Sequence, residues 1–398
     1  MSSALALIAL VCLAAVLYSY ALYPLLLIAL AALVQLRSDL ARVLGKRERR
    51  AATVPELPTV SVLISAFNEE ACIAARIDNL LALDYPRERL QILIGSDGSR
   101  DRTGELMLAA AARYADAPLQ CLVFAHNRGK ANVLNDLAAR AEGELLVFSD
   151  ANTLFAPDAL RHLVAPFADP KVGGVSGELR LLGAGGDNQD GLYWRIEQLL
   201  KFFENRIGGL LGANGAIYAI RRRLWAPLAA DTICDDFLVA MNVAAAGYRL
   251  RYAPAAWAEE EMPQRIGEEY RRRVRIGIGN FQALFRHPEY LLHTGLATAF
   301  TYLSHKVLRW LAPHLLIVAL LASAALATRS SLWLAFTLLQ LAGYGLAAAC
   351  WRHSARGGAL PALLRIPAFL FALNWAFLVA SVRFARGRFA ATWASTPR

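Results

Sequence analysis

The sequence predicts an α/β domain on a mostly parallel sheet, with transmembrane helices flanking it. Three observations predict this. Between residues 58 and 290, short apolar runs alternate with segments of helical length, as in strands joined by helical crossovers. Long apolar stretches flank that region, one at residues 4–36 and another beyond about residue 296. Acidic residues close two of the short runs, where buried parallel strands should end. Ligands bind beyond the carboxyl ends of strands in open α/β sheets.

Composition agrees. Of 398 residues, 57% are hydrophobic and 19% charged, an apolar balance for a soluble chain. The middle region, roughly 230 residues, is enough for one sizeable core. The net charge of +10 raises nucleic-acid binding as a reading. The positions of the charges argue against it. Arg37, Arg42, Lys46, Arg47, Arg49 and Arg50 follow the first apolar stretch; Arg271, Arg272, Arg273 and Arg275 precede the second; Arg383, Arg386, Arg388 and Arg398 trail the last. Basic residues beside apolar spans mark the cytoplasmic side of a membrane. The five cysteines are far apart, with no C-x-x-C pair, so neither a zinc site nor a disulfide framework is indicated.

The elements follow in order. Residues 1–40 hold the N-terminal span. It is too long, and lacks the basic start, for a cleavable signal peptide. It could tilt, kink at Pro24 or fold as a hairpin. A strand at 60–66 leads through Phe67-Asn68-Glu69-Glu70 into a helix to about Leu83. A strand at 90–96 meets Asp97, and a helix runs from near Asp101 to Tyr114. A strand at 119–125 precedes His126-Asn127-Arg128-Gly129-Lys130 and a helix to about Ala141. A strand at 144–149 meets Asp150, and Pro157 opens a helix as its first residue. A helix from Asp190 to Gly208 comes next, then a glycine turn from Gly212 to Gly215 into a strand. Asp235-Asp236 opens a helix to Ala246, with Gly247 as its C-cap. The domain ends near 290. Residues 291–385 form interfacial and transmembrane helices, with candidate spans near 306–327, 332–350 and 359–382, and 386–398 form a basic tail. Three full crossings there would place the tail outside, against the charge rule, so one segment is expected to be re-entrant or interfacial.

Several of these residues carry chemistry. Asn68-Glu69 can cap a helix or contact a nucleotide. Asp97-Gly98-Ser99 is a turn pair placed at a strand's carboxyl end. Gly129-Lys130 puts a cation at a helix start, which suits a phosphate, although the P-loop spacing is absent. Asp150-Ala151-Asn152 offers a carboxylate and an amide oxygen, ligands that suit Mg²⁺ or Mn²⁺, or an Asx cap. Adjacent Asp235 and Asp236 raise each other's pKa, which helps one act as a base.

This ordered set resembles the family 2 glycosyltransferases of the GT-A fold, especially the membrane-embedded branch with the cellulose, chitin, hyaluronan and poly-N-acetylglucosamine synthases. The resemblance covers residues 58–290 and the flanking membrane segments. It implies donor binding by Asn68, Glu69, Asp97, Lys130 and Asp150. It implies a Mg²⁺ or Mn²⁺ ion held by Asp150 and Asn152 in the place of the D-x-D motif, where Asn152 replaces the second Asp. It makes Asp236, after Asp235, the base. It places Asn214, Gly215 and Arg272 on the acceptor side. Arg272 to Ile276 align with the Q-x-x-R-W motif: Arg275 is kept, but Arg272 stands for Gln and Ile276 for Trp. In processive synthases that Trp stacks on the acceptor sugar. The tail pattern Trp393-x-x-Thr396-x-Arg398 is similar to that of some synthases.

The reading is a membrane-bound inverting enzyme. It would move a sugar from a nucleotide sugar, most simply a UDP-sugar, to a lipid-linked or glycan acceptor with short products. Its catalytic domain would face the cytoplasm of a bacterial inner membrane, with membrane lipids as partners and no nucleic acid. The alternatives are a processive synthase coupled to translocation and a silent nucleotide-sugar-binding protein.

Overall fold

The computed structural model describes residues 2–45, 56–182, 189–261 and 266–389. Lys46, Arg47, Arg49, Arg50, Trp393, Thr396 and Arg398, singled out above, lie outside them.

Strand β1 (Val60–Ala66) is buried along its whole length. A parallel strand covered on both faces needs a continuous apolar run, and Val60 to Ala66 is nearly one. It pairs in parallel with β2 (Leu90–Asp97) on one side and β4 (Leu145–Asp150) on the other. β3 (Leu119–Phe124) adds a parallel strand beyond β2. Past β4 the sheet becomes mixed. β7 (Tyr218–Arg221) runs antiparallel to both β4 and β6 (Val172–Leu182). β8 (Arg249–Glu261) is parallel to β6, and the short β5 (Leu154–Phe155) pairs antiparallel at its edge. The order is β3-β2-β1-β4-β7-β6-β8-β5.

β6 and β8 are absent from the sequence reading, for a physical reason. β6 begins Val172-Gly173-Gly174-Val175-Ser176-Gly177, and glycine weakens any strand signal. The glycines answer close packing: a Cβ on Gly177 would lie 2.4 Å from the Ala256 carbonyl oxygen. β8 contains Pro254, and its register with β6 shifts between Ser176 and Glu178. A bulge there accommodates the proline.

Helices cover both faces. α3 (Ile73–Leu81), α4 (Thr103–Arg113) and α6 (Ala159–Val164) pack with Val60, Val62 and Ile64. α5 (Lys130–Arg140), α8 (Asp235–Ala245) and α9 (Ile266–Arg286) pack with Leu63 and Leu93 on the other face. Pro157 is not the first residue of α6, as expected from sequence. The Ala159 N–H closes a turn on Ala156, and the helix begins one residue after Asp158.

The N-terminal segment is one unbroken helix from Ser2 to Val43. α1 (Ser2–Leu17) passes through a π-helical turn, Tyr18–Leu22, into α2 (Tyr23–Val43). Pro24 lies in the first turn of α2, and the Tyr23 N–H reaches back five residues to the Tyr18 carbonyl. Proline cannot donate and crowds the preceding turn; a wider turn absorbs this without a break. Of the sequence alternatives, the hairpin is therefore excluded.

α7 is Gln189–Ile207. After α9, short helices α10 (Glu289–Leu292) and α11 (Leu296–Thr301) lead through a second π-helical turn, Tyr302–Val307, into α12 (Leu308–Ala327). α13 (Ser331–Ala355) and α14 (Ala362–Ala385) follow. Among the described residues, four helical segments are long and apolar enough to cross a membrane: Ser2–Val43, Leu296–Ala327, Ser331–Ala355 and Ala362–Ala385. The two π turns meet. The Tyr18 and Ser304 hydroxyls lie 2.9 Å apart, and Ser19 Oγ donates to the Ser304 carbonyl at 2.9 Å.

A buried ionic knot holds this junction to α7. His305 Nδ1 lies 2.6 Å from Glu204 Oε1, and Nε2 lies 3.1 Å from Glu197 Oε1. Lys306 and Arg309 also donate to Glu197, and the Tyr23 hydroxyl donates to Glu204. Three cationic or ring donors on one carboxylate keep Glu197 charged. Burial alone would raise its pKa, but Lys306, His305 and Arg309 together hold it well below the usual range. Breaking such a buried pair typically costs about 3–5 kcal/mol. The knot therefore fixes how the membrane helices sit on the domain.

Candidate active site

The carboxyl ends of β1, β2 and β4 adjoin, and their loops are laced together. Asn68 adopts a left-handed conformation, with φ of 55°, a region that Asn tolerates better than most residues. Its Oδ1 accepts from the Arg100 N–H, and its own N–H donates to Ser99 Oγ. The Glu69 N–H donates to Thr103 Oγ1 at 2.7 Å. Gly98 has φ of 65°, and a Cβ there would lie 2.4 Å from the Asn127 nitrogen. Only glycine lets the loop after β2 come so close to the loop after β3.

Asp97 is fully buried and holds that second loop. Its Oδ1 accepts from the Arg128 N–H and its Oδ2 from the Gly129 N–H, both at 2.8 Å. The chain therefore enters α5 with Lys130 pointing at the cleft.

Lys130 is the hub. Its Nζ donates to Asp150 Oδ1 at 2.8 Å and lies 3.2 Å from Asp235 Oδ2. Burial disfavours the ammonium, but Asp150, Asp235 and Asp236 outweigh it and raise the pKa. Strand β4 delivers Asp150, the β3–α5 loop delivers Lys130, and α8 delivers the acid pair. Asp236 is held by two backbone donors, the Gly215 N–H at 3.0 Å and the Phe237 N–H at 2.7 Å. Burial, then the neighbouring Asp235, pushes its carboxyl up to about 6, against the pull of Lys130. Such a group exchanges protons near neutral pH.

The Asn152 side chain turns its amide nitrogen to Glu260 Oε1, at 2.7 Å. That leaves Asn152 Oδ1 and Asp150 Oδ2 without a hydrogen-bond donor among the described residues. No three His, Cys, Asp or Glu side chains form a metal cage among those residues. Mg²⁺ and its kin need none when phosphates complete the shell; one or two protein oxygens suffice. The two free oxygens fit that chemistry. Behind them, fully buried Arg76 donates to Ser149 Oγ at 2.8 Å and packs its guanidinium 4.3 Å from the Phe155 ring centroid. Glu260 and Arg76 are invisible to the motif reading. Glu260 lies on the unpredicted β8, and Arg76 sits in α3 like any helical arginine.

On the other side of Asp236, the loop before β7 is fixed by Asn214. Its N–H donates to Ser176 Oγ, and its Oδ1 accepts from the Ala216 N–H. Arg275 of α9 reaches the acid pair's neighbourhood. Burial lowers its pKa, and Cys234 and Asp235 oppose that. Arg272 is exposed on α9, and so is Ile276, at 41%. Lys201 of α7 is a further residue the sequence reading missed. Burial, then Lys306, lowers its pKa, while Glu197 and Asp236 act to raise it.

A parallel half-sheet ending in carboxylates, joined to a mixed half whose helix α8 carries the acid pair, defines a glycosyltransferase of the GT-A class. The glycosyl transferase family 2 model matches residues 61–223, and the model of glycosyl transferase family group 2 matches residues 145–351. The chain belongs to glycosyl transferase family group 2. It is 29% identical over 242 residues to the poly-β-1,6-N-acetyl-D-glucosamine synthase of Staphylococcus aureus strain COL, covering 58% of this chain and 57% of that one. It is 30% identical over 241 residues to the probable glycosyltransferase YdaM of Bacillus subtilis strain 168, covering 56% of each. The match thus spans just over half the length of these relatives. Among solved structures, the mannosyltransferase PcManGT from Pyrobaculum calidifontis, in complex with GDP-Man and Mn²⁺, is similar with a TM-score of 0.69. The likeness covers 97% of this chain and 100% of that one at 24% identity, and it is a likeness of fold.

Proposed function

We propose that the protein is a membrane-bound inverting glycosyltransferase. It takes a sugar from a nucleotide sugar, in the first place a UDP-sugar, and adds it to a membrane-associated or polysaccharide acceptor, giving short products. The domain works on the cytoplasmic face of a bacterial inner membrane. One observation carries this reading: Asp236, with a pKa of about 6, is aimed by two backbone donors beside a Lys130–Asp150 pair.

Asp236 accepts the proton of an acceptor hydroxyl as that oxygen attacks the anomeric carbon. A new C–O bond forms, the bond to the diphosphate breaks, and the configuration inverts. Arg275 and Lys130 favour the negative charge that develops on the leaving group. Asn68, Glu69 and Asp97 shape the nucleotide end; Asn214, Gly215 and Arg272 shape the acceptor end. Asp150 and Asn152 would hold a Mg²⁺ or Mn²⁺ ion, which neutralises diphosphate charge. The Mn²⁺ in the PcManGT complex supports a divalent ion.

The test is transfer of radiolabelled sugar by the full chain in detergent, screened over UDP- and GDP-sugars with mass analysis of the product. Binding of UDP without turnover would leave a silent receptor. The likeness to poly-β-1,6-N-acetyl-D-glucosamine synthases favours a second reading, a processive synthase. Long polymer in the same assay would establish it. Ile276, at the place of Trp in the Q-x-x-R-W motif that the sequence resembles, supports the short product.

A further inference from the structure

Helix α14 is apolar enough to span a membrane, yet it rests on α9 of the catalytic domain from Phe369 to Phe384. Near its start, the Arg273 guanidinium of α9 lies 4.6 Å from the Phe369 ring centroid. Further along, a Cβ on Gly277 would lie 2.7 Å from Ala380 Cβ. At its end, Phe384 stacks on Phe285 and Phe281. α9 is fastened to the domain by Gln282 and by the bidentate Arg286–Asp231 pair. Phe369 and Phe384 are about 22 Å apart along a helix, less than the hydrocarbon core of about 30 Å. Both touch α9.

The neighbouring helices behave differently. α12 leaves the domain at Trp310, which contacts Phe237, and is joined to α13 far from it, where Gln340 donates to Ser323. α13 then returns to place Trp351 between Tyr270 and Phe371. α1 packs along α12.

A groove of about 560 Å³ runs along the outer part of α14, lined by Trp375, Leu378, Val379 and Val382 and ending at Arg383, Arg386 and Arg388. The apolar four recur at helical spacing on one face. The three arginines are exposed and form no salt bridge among the described residues. No Asp or Glu follows Glu289 anywhere in the chain. An apolar stripe closed by exposed guanidinium groups complements a phospholipid: acyl chain on the stripe, phosphate on the fork donors.

We infer that α14 does not cross the membrane. It lies along the membrane surface on the catalytic domain's side, and its groove holds an anionic phospholipid of that leaflet. α1, α12 and α13 make the crossings. The basic end then stays on the domain's side, which satisfies the charge rule. The inference rests on the membrane placement above and not on the sugar-transfer reaction.

Two measurements on the full chain test it. In a cysteine-free background, Arg388→Cys, Arg113→Cys and Arg329→Cys are labelled with an impermeant maleimide in sealed vesicles of both orientations. Positions 388 and 113 should label from one side and 329 from the other; labelling of 388 together with 329 would overturn the topology. Next, the protein is placed in bilayers of equal phosphatidylglycerol and phosphatidylcholine, and retained lipid is read by native mass spectrometry. Phosphatidylglycerol should be retained selectively. Each Arg→Gln change at 383, 386 and 388 should weaken retention by about fivefold, whereas the triple Arg→Lys variant should keep much of it. Equal retention of both lipids by the wild type, or undiminished phosphatidylglycerol in the Gln variants, would overturn the headgroup assignment. A loss as large in the Lys variant as in the Gln variants would do the same.

Discussion

The Gly215 N–H donates to Asp236 Oδ2 at 3.0 Å, and a Cβ on Gly215 would lie 3.1 Å from the same oxygen. The bond and the contact share one atom, so an added methyl pushes the base while leaving its chemistry intact. Gly215→Ala is expected to lower kcat about tenfold, because sub-ångström shifts of a reacting group are costly. Donor KM and melting temperature should change little. Unaltered kcat would mean the aim of Asp236 does not matter.

Asp236→Asn removes the proton acceptor. Turnover should fall by about 10²- to 10⁴-fold, the usual contribution of a general base. Radiolabelled transfer measures it. Turnover within about tenfold of wild type would show that another group takes the proton.

The pH profile follows from the same carboxyl. Its pKa lies above the ordinary 3.8, at about 6, chiefly through burial. The base works ionised, so kcat/KM should be level above about pH 7 and fall tenfold per unit below about pH 5. The linkage has the opposite sense for stability. Between the unfolded value and about 6 the folded chain binds more protons, so this group's contribution declines as pH rises through that window. A flat acid limb down to pH 5 would contradict the assignment.

Lys130→Met takes away the cation that lies 2.8 Å from Asp150 and 3.2 Å from Asp235. Lys130 also pulls down the Asp236 pKa. Its loss should move the acid limb to higher pH, as well as lower kcat. An acid limb that stays in place would separate Lys130 electrically from the base.

Asn152→Asp restores a second carboxylate but faces it to Glu260, 2.7 Å from the present amide nitrogen. The single variant is expected to lose activity through like-charge repulsion. Asn152→Asp with Glu260→Gln should recover it and reach half-saturation at lower Mn²⁺. Strict additivity of the two changes would show that the side chains do not interact. Excess chelator should abolish turnover in every version.

Much of this was legible from sequence. Each of the four parallel strands β1 to β4 is a compact run, and three of them are deeply buried, so periodicity and the acids Asp97 and Asp150 marked their ends. What was not legible depends on long-range packing. β6 is disguised by glycines that exist because Tyr248 and Ala256 press against it. With β6 and β8 hidden, Glu260 could not be placed beside Asn152. Asp97 shows the same limit from the other side. Its position at a strand end was readable, but its two bonds to the Arg128 and Gly129 N–H groups were not. At Pro24 the sequence leaves a tilt, a kink and a hairpin open, because a local signal does not tell a kink from a widened turn.

That widened turn has a genealogical consequence. A π-helical turn is an α-helical one with a residue added. Rewinding Tyr18–Leu22 as plain α-helix with every residue kept would swing α1 by about 100° relative to α2, a rotation the wider turn avoids. Its seam with α12 would then face empty lipid. The opposing turn at Tyr302–Val307 carries the same surplus residue, and the two interlock through Ser304. A relative that lacks one insertion is therefore expected to lack the other, and the two gaps would be inherited together across nearly three hundred positions of chain.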